Sequence, residues 1–567
     1  MMRILFFLTA TVSFICLNLS AQGAKDWPRT IVETSNYEQT SRVADVRAYM
    51  DALSKVSPDI KPYQPPKAPG TTETGKPLLA WRIPATGENP LKVYINSNIH
   101  AGEVEGKEAI QFVAREILQG KHQDIRKNIE LVFCPAYNAD GTDALDPANR
   151  SHQPNPISGV GPRENVLGLD LNRDMMKAAA ANTRWMLAMY RDFDPDCTVD
   201  LHSTNGSRHG FYLTYAPPQA IGGDIPLATF NRRMLVEVRD NLKLKGLPTY
   251  DYGNIRNNSE REPTSWATDA LGQNMVSNYT IMENRLGVLV ETFVYRSYED
   301  RVTDNIKYVL ELLDWMASHK EEVQRQRKQA IERWAVASSK GDLQMPLKAK
   351  LVETETYTFD TYDFTMNTEG RPLRDEKGRY RINEQSRKQF TLPSFVTFEW
   401  TDFATAPVGY LVDGAYSETI RPLLEAHGVT VLPGSQRPKD ETLLYFHETA
   451  SERKISNGAY QGVFTLSMAG AWKPELPTRR VAYSWEPEDL DNAMYVPINQ
   501  PMGKLAFYLL DPRAPDGLVF WGFFNSSFVR GQGMWGEGPR SPILALGINA
   551  VGNPSAGNTA VNMIIEE

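Results

Sequence analysis

The sequence predicts an α/β fold for its first part: a mixed, mostly parallel twisted sheet flanked by helices, followed by a β-rich region. Short β-rich runs at 91–96 and 129–135 enclose a segment, 106–118, whose apolar residues recur at helical spacing. Further strand-like runs at 197–201 and 285–292 are separated from these by helix-like segments. Strands that alternate with helices favour a sheet with parallel neighbours and helices on its faces.

Length and composition bound the class of protein. The chain has 567 residues, enough for two to four domains at roughly 100–200 residues each. It is 41% hydrophobic and 23% charged, as ordinary soluble globular proteins are. The formal net charge is −8, and no long basic run occurs. Nucleic acid is therefore not expected as the main partner, because phosphate binding needs clustered Lys and Arg.

Residues 1–21 are typical of a secretory signal peptide. A short positive start precedes an apolar run over 4–19, and small residues place the cleavage near Ala21. A transmembrane anchor is the alternative, but this run is short for a span, and no later stretch suits one. Lipid anchoring through Cys16 is disfavoured because the bulky Ile15 precedes it. The protein is therefore expected to be secreted or periplasmic.

Two cysteines follow the predicted signal peptide, Cys134 and Cys197. Both lie in apolar strand-like runs, which favours buried free thiols. A disulfide between them stays open, because the predicted compartment permits one.

The chain is expected to divide near residue 340. A long helix predicted over 305–339 ends the first domain, 22–340. Beyond it, Thr, Tyr and Phe alternate over 351–390, which indicates antiparallel strands, and 408–433 has a strand–helix–strand pattern. The last hundred residues are again strand-rich. Residues 341–567 are therefore expected to form a β-rich accessory region, whose role the sequence leaves open.

The first candidate site lies just after the strand at 91–96. His100 and Glu103 are three residues apart there, so both can turn toward one point. A catalytic zinc site needs three protein ligands of the His and Glu kind and one open position. His202 follows the strand at 197–201 and supplies a third ligand, because sites in open α/β sheets gather beyond the carboxyl ends of strands. The HxxE pattern alone is common by chance, so the metal site depends on His202.

A second candidate segment, 163–174, places two arginines and an asparagine around a short apolar run. Arg guanidinium groups bind carboxylates through two hydrogen bonds. Asn172 and Arg173 are therefore candidates to hold a free carboxylate, and Arg163 is a candidate to stabilise an oxyanion. The alternative is a pair of structural salt bridges.

Glu291 ends the apolar run at 287–291. A carboxylate against an apolar wall holds its proton more tightly, which suits general base and acid work. The alternative is a strand-end Glu in an ion pair.

These motifs, in this order, resemble the zinc carboxypeptidase A/B family (peptidase family M14). The stretches HAGEVEGKEA at 100–109 and GLDLNRD at 168–174 look especially like bacterial members. The resemblance covers about residues 25–335 and implies a carboxypeptidase-like catalytic domain over 22–340. It also implies one Zn²⁺ per chain, held by His100, Glu103 and His202.

The same resemblance implies roles for the remaining residues. Asp170 would fix the His100 ring, as metal-bound imidazoles require. Arg163 would stabilise the oxyanion, and the pair Asn172 and Arg173 would hold the substrate's terminal carboxylate. Glu291 would be the general base and then the general acid. Family members often carry a substrate-capping Tyr about two dozen residues before this Glu. Tyr279, twelve residues before Glu291, is the candidate here, and Tyr250 and Tyr252, about forty residues before it, are the alternatives.

Three functions follow from these motifs. The first is a metallocarboxypeptidase that removes terminal residues from peptides with a free carboxylate. The second keeps the metal but acts as an amidase on peptidoglycan stem peptides or acyl-amino acids. The third is a non-catalytic peptide-binding module, which the presence of Glu291 disfavours. The preferred terminal residue and the oligomeric state stay open.

Overall fold

A long mixed sheet, here called the first sheet, organises the first half of the chain. The structure is a computed structural model that describes residues 26–204, 206–219, 221–269, 272–340, 343–376, 378–449, 452–475, 485–528 and 541–547. Among these residues the first sheet has eight strands in the order β1-β2-β4-β3-β5-β10-β6-β7. Its strands are β1 (Lys61–Tyr63), β2 (Ala80–Ile83), β3 (Leu91–Ser97), β4 (Ile129–Cys134), β5 (Cys197–Thr204), β6 (Leu213–Ala216), β7 (Thr249–Asp251) and β10 (Leu286–Phe293).

The centre of the first sheet is parallel. Strands β4, β3, β5 and β10 run side by side in one direction, while β2 and β6 pair antiparallel on either side of them. In this register Glu291 of β10 lies beside His202 of β5. The predicted mixed, mostly parallel sheet is confirmed, and its parallel centre brings the predicted site residues to one edge.

Helices cover the two faces of the first sheet, as the apolar spacing predicts. They are α1 (Ile31–Thr34), α2 (Val43–Val56), α3 (Glu105–Leu118), α4 (Gln123–Asn128), α5 (Ala139–Asp143), α6 (Ala181–Asp192), α7 (Ile225–Leu244), α8 (Val276–Met282), α9 (Tyr298–Ser318) and α10 (Lys320–Ser338). The long helix predicted over 305–339 is two helices that meet at His319. The His319 ring stacks on Trp315, and its Nδ1 lies 2.8 Å from the Trp315 carbonyl oxygen, which holds the break in place.

A wholly antiparallel sheet, here called the C-terminal sheet, dominates the later part of the chain. Among the described residues its order is β18-β23-β17-β24-β19-β22. Its strands are β17 (Gly409–Val412), β18 (Leu432–Pro433), β19 (Leu443–Glu448), β22 (Gly470–Lys473), β23 (Met494–Pro497) and β24 (Ile543–Leu546). Helix α11 (Ser417–Ala426) lies between β17 and β18, so the predicted strand–helix–strand order is confirmed.

The described part of the last hundred residues is less strand-rich than expected. It contains the helices α12 (Pro487–Asn492), α13 (Gly503–Leu510) and α14 (Asn525–Phe528). Every residue of α13 is buried. An apolar run that is buried on all sides has no periodicity by which a helix can be told from a strand.

Strands from both regions also pair with each other. A four-stranded sheet has the order β13-β14-β9-β8 and so combines strands from both sides of residue 340. The remaining strands are β8 (Asn254–Asn257), β9 (Pro263–Ala267), β11 (Gln344–Pro346), β12 (Ala349–Val352), β13 (Glu355–Phe364), β14 (Ile382–Phe395), β15 (Thr397–Trp400), β16 (Phe403–Thr405), β20 (Lys454–Ile455) and β21 (Leu466–Ser467). One hydrophobic cluster also extends from Val46 to Ala545. The domain boundary at residue 340 therefore stays a prediction. One sheet and one hydrophobic cluster contain residues from both sides of it.

Cys134 and Cys197 are buried free thiols on β4 and β5, which confirms the expectation. The predicted signal peptide and Cys16 lie outside the described residues. Within the described ranges, no helix combines the length and the apolar character that crossing a membrane requires.

Candidate metal centre

Three predicted ligands converge at the carboxyl edge of the first sheet. His100 and Glu103 follow β3, and His202 lies on β5. His100 Nδ1 is 3.1 Å from Glu103 Oε1, and His202 Nδ1 is 2.8 Å from Glu103 Oε2. One ligand atom from each residue lies within 4.8 Å of the others, and all three side chains are buried. Among the described residues this is the single group with that property.

The far side of each imidazole meets a carboxylate. His100 Nε2 lies 3.1 Å from Asp170 Oδ1, and His202 Nε2 lies 2.8 Å from Asp200 Oδ2. A carboxylate at Nε2 favours the tautomer with its proton there and leaves the Nδ1 lone pair for a metal. Two such nitrogens and one carboxylate are the donor set of a catalytic zinc site. The residues present therefore fit zinc.

Asp170 is held as an anion. Burial acts to raise the pKa of its carboxyl, but the hydrogen bond and charge of His100, together with Arg163, hold that pKa well below its usual range. Arg163 donates from Nε and Nη2 to Asp170 Oδ2, at 3.0 and 2.7 Å. Asp170 thus orients the His100 ring, and Arg163 keeps Asp170 charged.

Asp200 is a functional candidate that the sequence reasoning missed. Its side chain is fully buried, and its Oδ1 accepts a hydrogen bond from Asn96 Nδ2 at 2.8 Å. The Tyr94 hydroxyl in turn donates to Asn96 Oδ1 at 3.1 Å. The signal was available, because residues two apart on a strand face the same side, and Asp200 precedes His202 by two.

Glu291 lies next to His202 in the register of the sheet. Burial, and then the negative charge of Glu103, raise the pKa of Glu291 to about 7, against the opposing effect of the two histidines. Its Oε2 is buried and has no hydrogen-bond partner among the described residues. A carboxyl group with such a pKa can both accept and donate a proton near neutral pH.

A cavity of about 140 Å³ connects these groups. Its lining contains the three predicted ligands together with Glu291, Arg163, Asn172 and Arg173. Six further residues complete the wall: Arg150, Ser203, Thr204, Tyr252, Met275 and Leu289. Every predicted site residue therefore lines this cavity except Asp170, which lies behind His100, and Tyr279.

The predicted carboxylate-binding pair sits on a 3-10 turn, Leu171–Arg173. The turn is capped by Asp170, whose Oδ1 accepts a hydrogen bond from the Asn172 N–H at 2.8 Å. Asn172 Oδ1 accepts the Val276 N–H at 2.8 Å, and Arg173 Nη1 donates to the Asn172 carbonyl at 2.8 Å. These bonds fix the turn while Arg173 faces the cavity.

Arg150 is the second residue that the sequence reasoning missed. Its Nη1 donates to Glu103 Oε1 at 2.8 Å, and its Nη2 donates to the Ser203 carbonyl at 3.0 Å. It lies in a segment between α5 and the 3-10 turn where the described chain has neither helix nor strand. No local pattern marks such a residue, so the sequence offered no signal for it.

Tyr279, the candidate for the substrate-capping tyrosine, lies outside the cavity. Its side chain is fully buried, and its hydroxyl lies 2.7 Å from His427 Nδ1 in the C-terminal region. Its ring stacks on Tyr190. Helix α8 therefore directs Tyr279 into the contact between the two regions. The tyrosine that lines the cavity is Tyr252.

Comparison with known proteins identifies the family of this region. Residues 46–196 match the family model for zinc carboxypeptidases, Peptidase_M14. The chain therefore carries a zinc carboxypeptidase family region that contains His100, Glu103 and the Asp170–Arg173 segment. His202 and Glu291 lie beyond the matched range. The search of curated proteins gave no match.

Several solved structures are similar to this chain. A metallo-carboxypeptidase from Pseudomonas aeruginosa is 16% identical, with a TM-score of 0.37, over 49% of this chain and 68% of that one. Carboxypeptidase A from Helicoverpa armigera is 15% identical, with a TM-score of 0.37, over 50% and 75%. Bovine thrombin-activatable fibrinolysis inhibitor is 15% identical, with a TM-score of 0.37, over 51% and 99%.

Proposed function

We propose that this protein is a secreted or periplasmic zinc metallocarboxypeptidase, which hydrolyses the C-terminal peptide bond of peptides with a free carboxylate. The observation that carries the proposal is Glu291: its Oε2 is buried and has no hydrogen-bond partner among the described residues, and it lies beside the His100, Glu103 and His202 ligand set. The family match over residues 46–196 supports the same activity.

The ligand set and Glu291 divide the chemistry between them. One zinc ion held by His100, Glu103 and His202 would supply the Lewis acidity that such sites use in hydrolysis. Glu291 Oε2 is the proton acceptor for the attacking water and then the proton donor to the leaving amine. A pKa near 7 suits both steps, since neither protonation state is costly at neutral pH.

Arg163 is the residue we assign to the developing negative charge on the scissile carbonyl oxygen. Its Nε and Nη2 are bound to Asp170, while its Nη1 lies 3.4 Å from His100 Nδ1, at the edge of the ligand set. A donor held in advance at that edge stabilises charge there without rearranging during the reaction. Arg150 is bound to Glu103 and positions that ligand.

Asn172 and Arg173 would bind the terminal carboxylate. A guanidinium forms two parallel hydrogen bonds with a carboxylate, which fixes orientation as well as affinity. The cavity is small, about 140 Å³, so it suits a single terminal residue. The bond that is cleaved is then the last peptide bond of the substrate.

The test is a panel of peptides in matched pairs that differ only in a terminal carboxylate or amide. We expect zinc-loaded protein to release the last residue of the acids and to leave the amides largely intact. A chelator should abolish release, and added zinc should restore it. Peptidoglycan stem peptides with D-residues belong in the panel, because cleavage of these alone would favour the amidase. Cleavage of acids and amides at equal rates would contradict the proposal.

A further inference from the structure

A turn of the C-terminal region reaches the carboxylate-binding segment. This turn, residues 456–465, is closed by hydrogen bonds between Ser456 and Thr465 and between Tyr460 and Val463. At its tip Gln461 Oε1 accepts the N–H of Asp170 at 2.8 Å. Asp170 caps the 3-10 turn that presents Asn172 and Arg173, so the contact acts at the base of that turn.

Tyr460 contacts the same segment from the side. Its ring stacks on Trp521 at 5.7 Å, and its hydroxyl lies near enough to Arg173 for that charge to lower the pKa of Tyr460 against the larger effect of burial. Lys177 Nζ lies 5.1 Å from the centre of the same Trp521 ring. Arg173 thus lies between the cavity and an aromatic pair of the C-terminal region.

Asp516 binds the segment that precedes Met275, a residue of the cavity lining. Its carboxylate accepts the Gln273 N–H at 3.0 Å and Asn274 Nδ2 at 2.8 Å. The Asn274 carbonyl accepts the N–H of Met175, and the next residue, Met275, lines the cavity. The C-terminal region therefore contacts two segments that contribute to the cavity lining, one with Asn172 and Arg173 and one with Met275.

We propose that Gln461, Tyr460 and Asp516 are positioning residues, which hold Asn172 and Arg173 in place and thereby set the selectivity for a free terminal carboxylate. The inference deepens the proposed function and rests on it. A guanidinium that is held before binding loses less conformational freedom when the carboxylate arrives. The C-terminal region is then a working part of the substrate site.

The test uses the full chain with Gln461→Ala, Tyr460→Phe and Asp516→Asn, each measured on the acid and amide peptide pairs. We expect KM for the acids to rise by about tenfold, as for the loss of one hydrogen bond, with kcat nearly unchanged. The low rate of hydrolysis of the amides should stay constant. Tyr460 is 41% exposed, so folding should tolerate the change.

Matched controls come from the same region. Tyr445→Phe alters a tyrosine of a separate hydrophobic cluster, and Gln436→Ala alters an exposed glutamine. Both should leave KM for the acids unchanged. Zinc content and the thermal unfolding midpoint are measured for every variant, so that a purely structural effect is recognised. Equal loss on acids and amides, or no loss on either, would overturn the inference.

A failure of the proposed activity is distinguished from a failure of the positioning role. If the wild type does not hydrolyse peptides, the proposed activity falls, and binding decides the inference. Dissociation constants of the acid and amide peptides are then measured by calorimetry for the wild type and for the Gln461→Ala variant. Weaker binding of the acid peptide, with unchanged binding of the amide, in the Gln461→Ala variant supports the positioning role. Unchanged acid binding contradicts it.

Discussion

The first sheet and the C-terminal sheet differ in the direction of their strands, and this difference separates chemistry from support. In the first sheet β3, β5 and β10 run parallel, so His202 and Glu291 lie side by side and His100 follows at the same edge. The C-terminal sheet is antiparallel throughout its described strands, so its strand ends alternate between two edges. Among the described residues it carries no metal-binding group. Its loops instead contact the substrate side of the first region.

The largest effect is expected from removing a metal ligand. His202→Ala removes one of three ligands, so the protein should lose tightly bound zinc and, with it, nearly all turnover. The measurement is metal content after exhaustive dialysis. The control is His447→Ala, on β19 of the C-terminal sheet, which should retain one zinc per chain. Full zinc occupancy in His202→Ala would mean that the third ligand lies elsewhere.

The next effect concerns the carboxylate end of the cavity. Arg173→Ala should raise KM for acid peptides by about 10–100-fold, because a hydrogen-bonded ion pair with the terminal carboxylate is lost. The amide peptides should be almost unaffected. Arg437→Ala, which removes an ion pair with Asp491 in the C-terminal region, is the matched control. A similar change for acids and amides would remove Arg173 from the carboxylate site.

A smaller effect, on zinc affinity, is expected from changing Asp200. Asp200→Asn keeps the shape of the side chain but weakens its hold on His202 Nε2, so zinc affinity should fall by about 10–100-fold. Competition with a chromophoric chelator measures this directly. Asp491→Asn, at an exposed position outside the first sheet, should leave the affinity unchanged. An unaltered dissociation constant for zinc in Asp200→Asn would show that Asp200 does not support the ligand.

The smallest effect concerns the contact between the regions. Tyr279→Phe removes the hydrogen bond to buried His427, so the free energy of unfolding should fall by about 1–2 kcal/mol. Urea denaturation measures this change. KM should stay constant, because Tyr279 lies outside the cavity. A raised KM with unchanged stability would restore Tyr279 to a substrate-binding role.

The parts of the site that were predictable are those carried by local pattern. His100, His202 and Glu291 each come at the end of an apolar strand, and the parallel order then brings them together. Helix α13 was missed because it is apolar on every side. Arg150 lies in a segment without periodicity. Tyr279 was chosen for its closeness to Glu291 along the chain, but α8 turns it toward the C-terminal region.

The contacts of Gln461 and Asp516 were beyond sequence reasoning for a different reason. Gln461 lies 291 residues from Asp170 along the chain, and Asp516 lies 242 residues from Asn274. Neither belongs to a motif that indicates a distant partner. Only the folded arrangement of the two regions brings them to the cavity.

The central claim is that Glu291 acts on substrate beside a zinc ion held by His100, Glu103 and His202. Its most direct test compares turnover and zinc content of the wild type and Glu291→Gln, using one acid peptide at neutral pH. We predict one zinc per chain in both proteins and a fall in kcat of at least about a thousandfold in the variant, since the general base is lost. Unchanged turnover in Glu291→Gln with its zinc retained would contradict the claim.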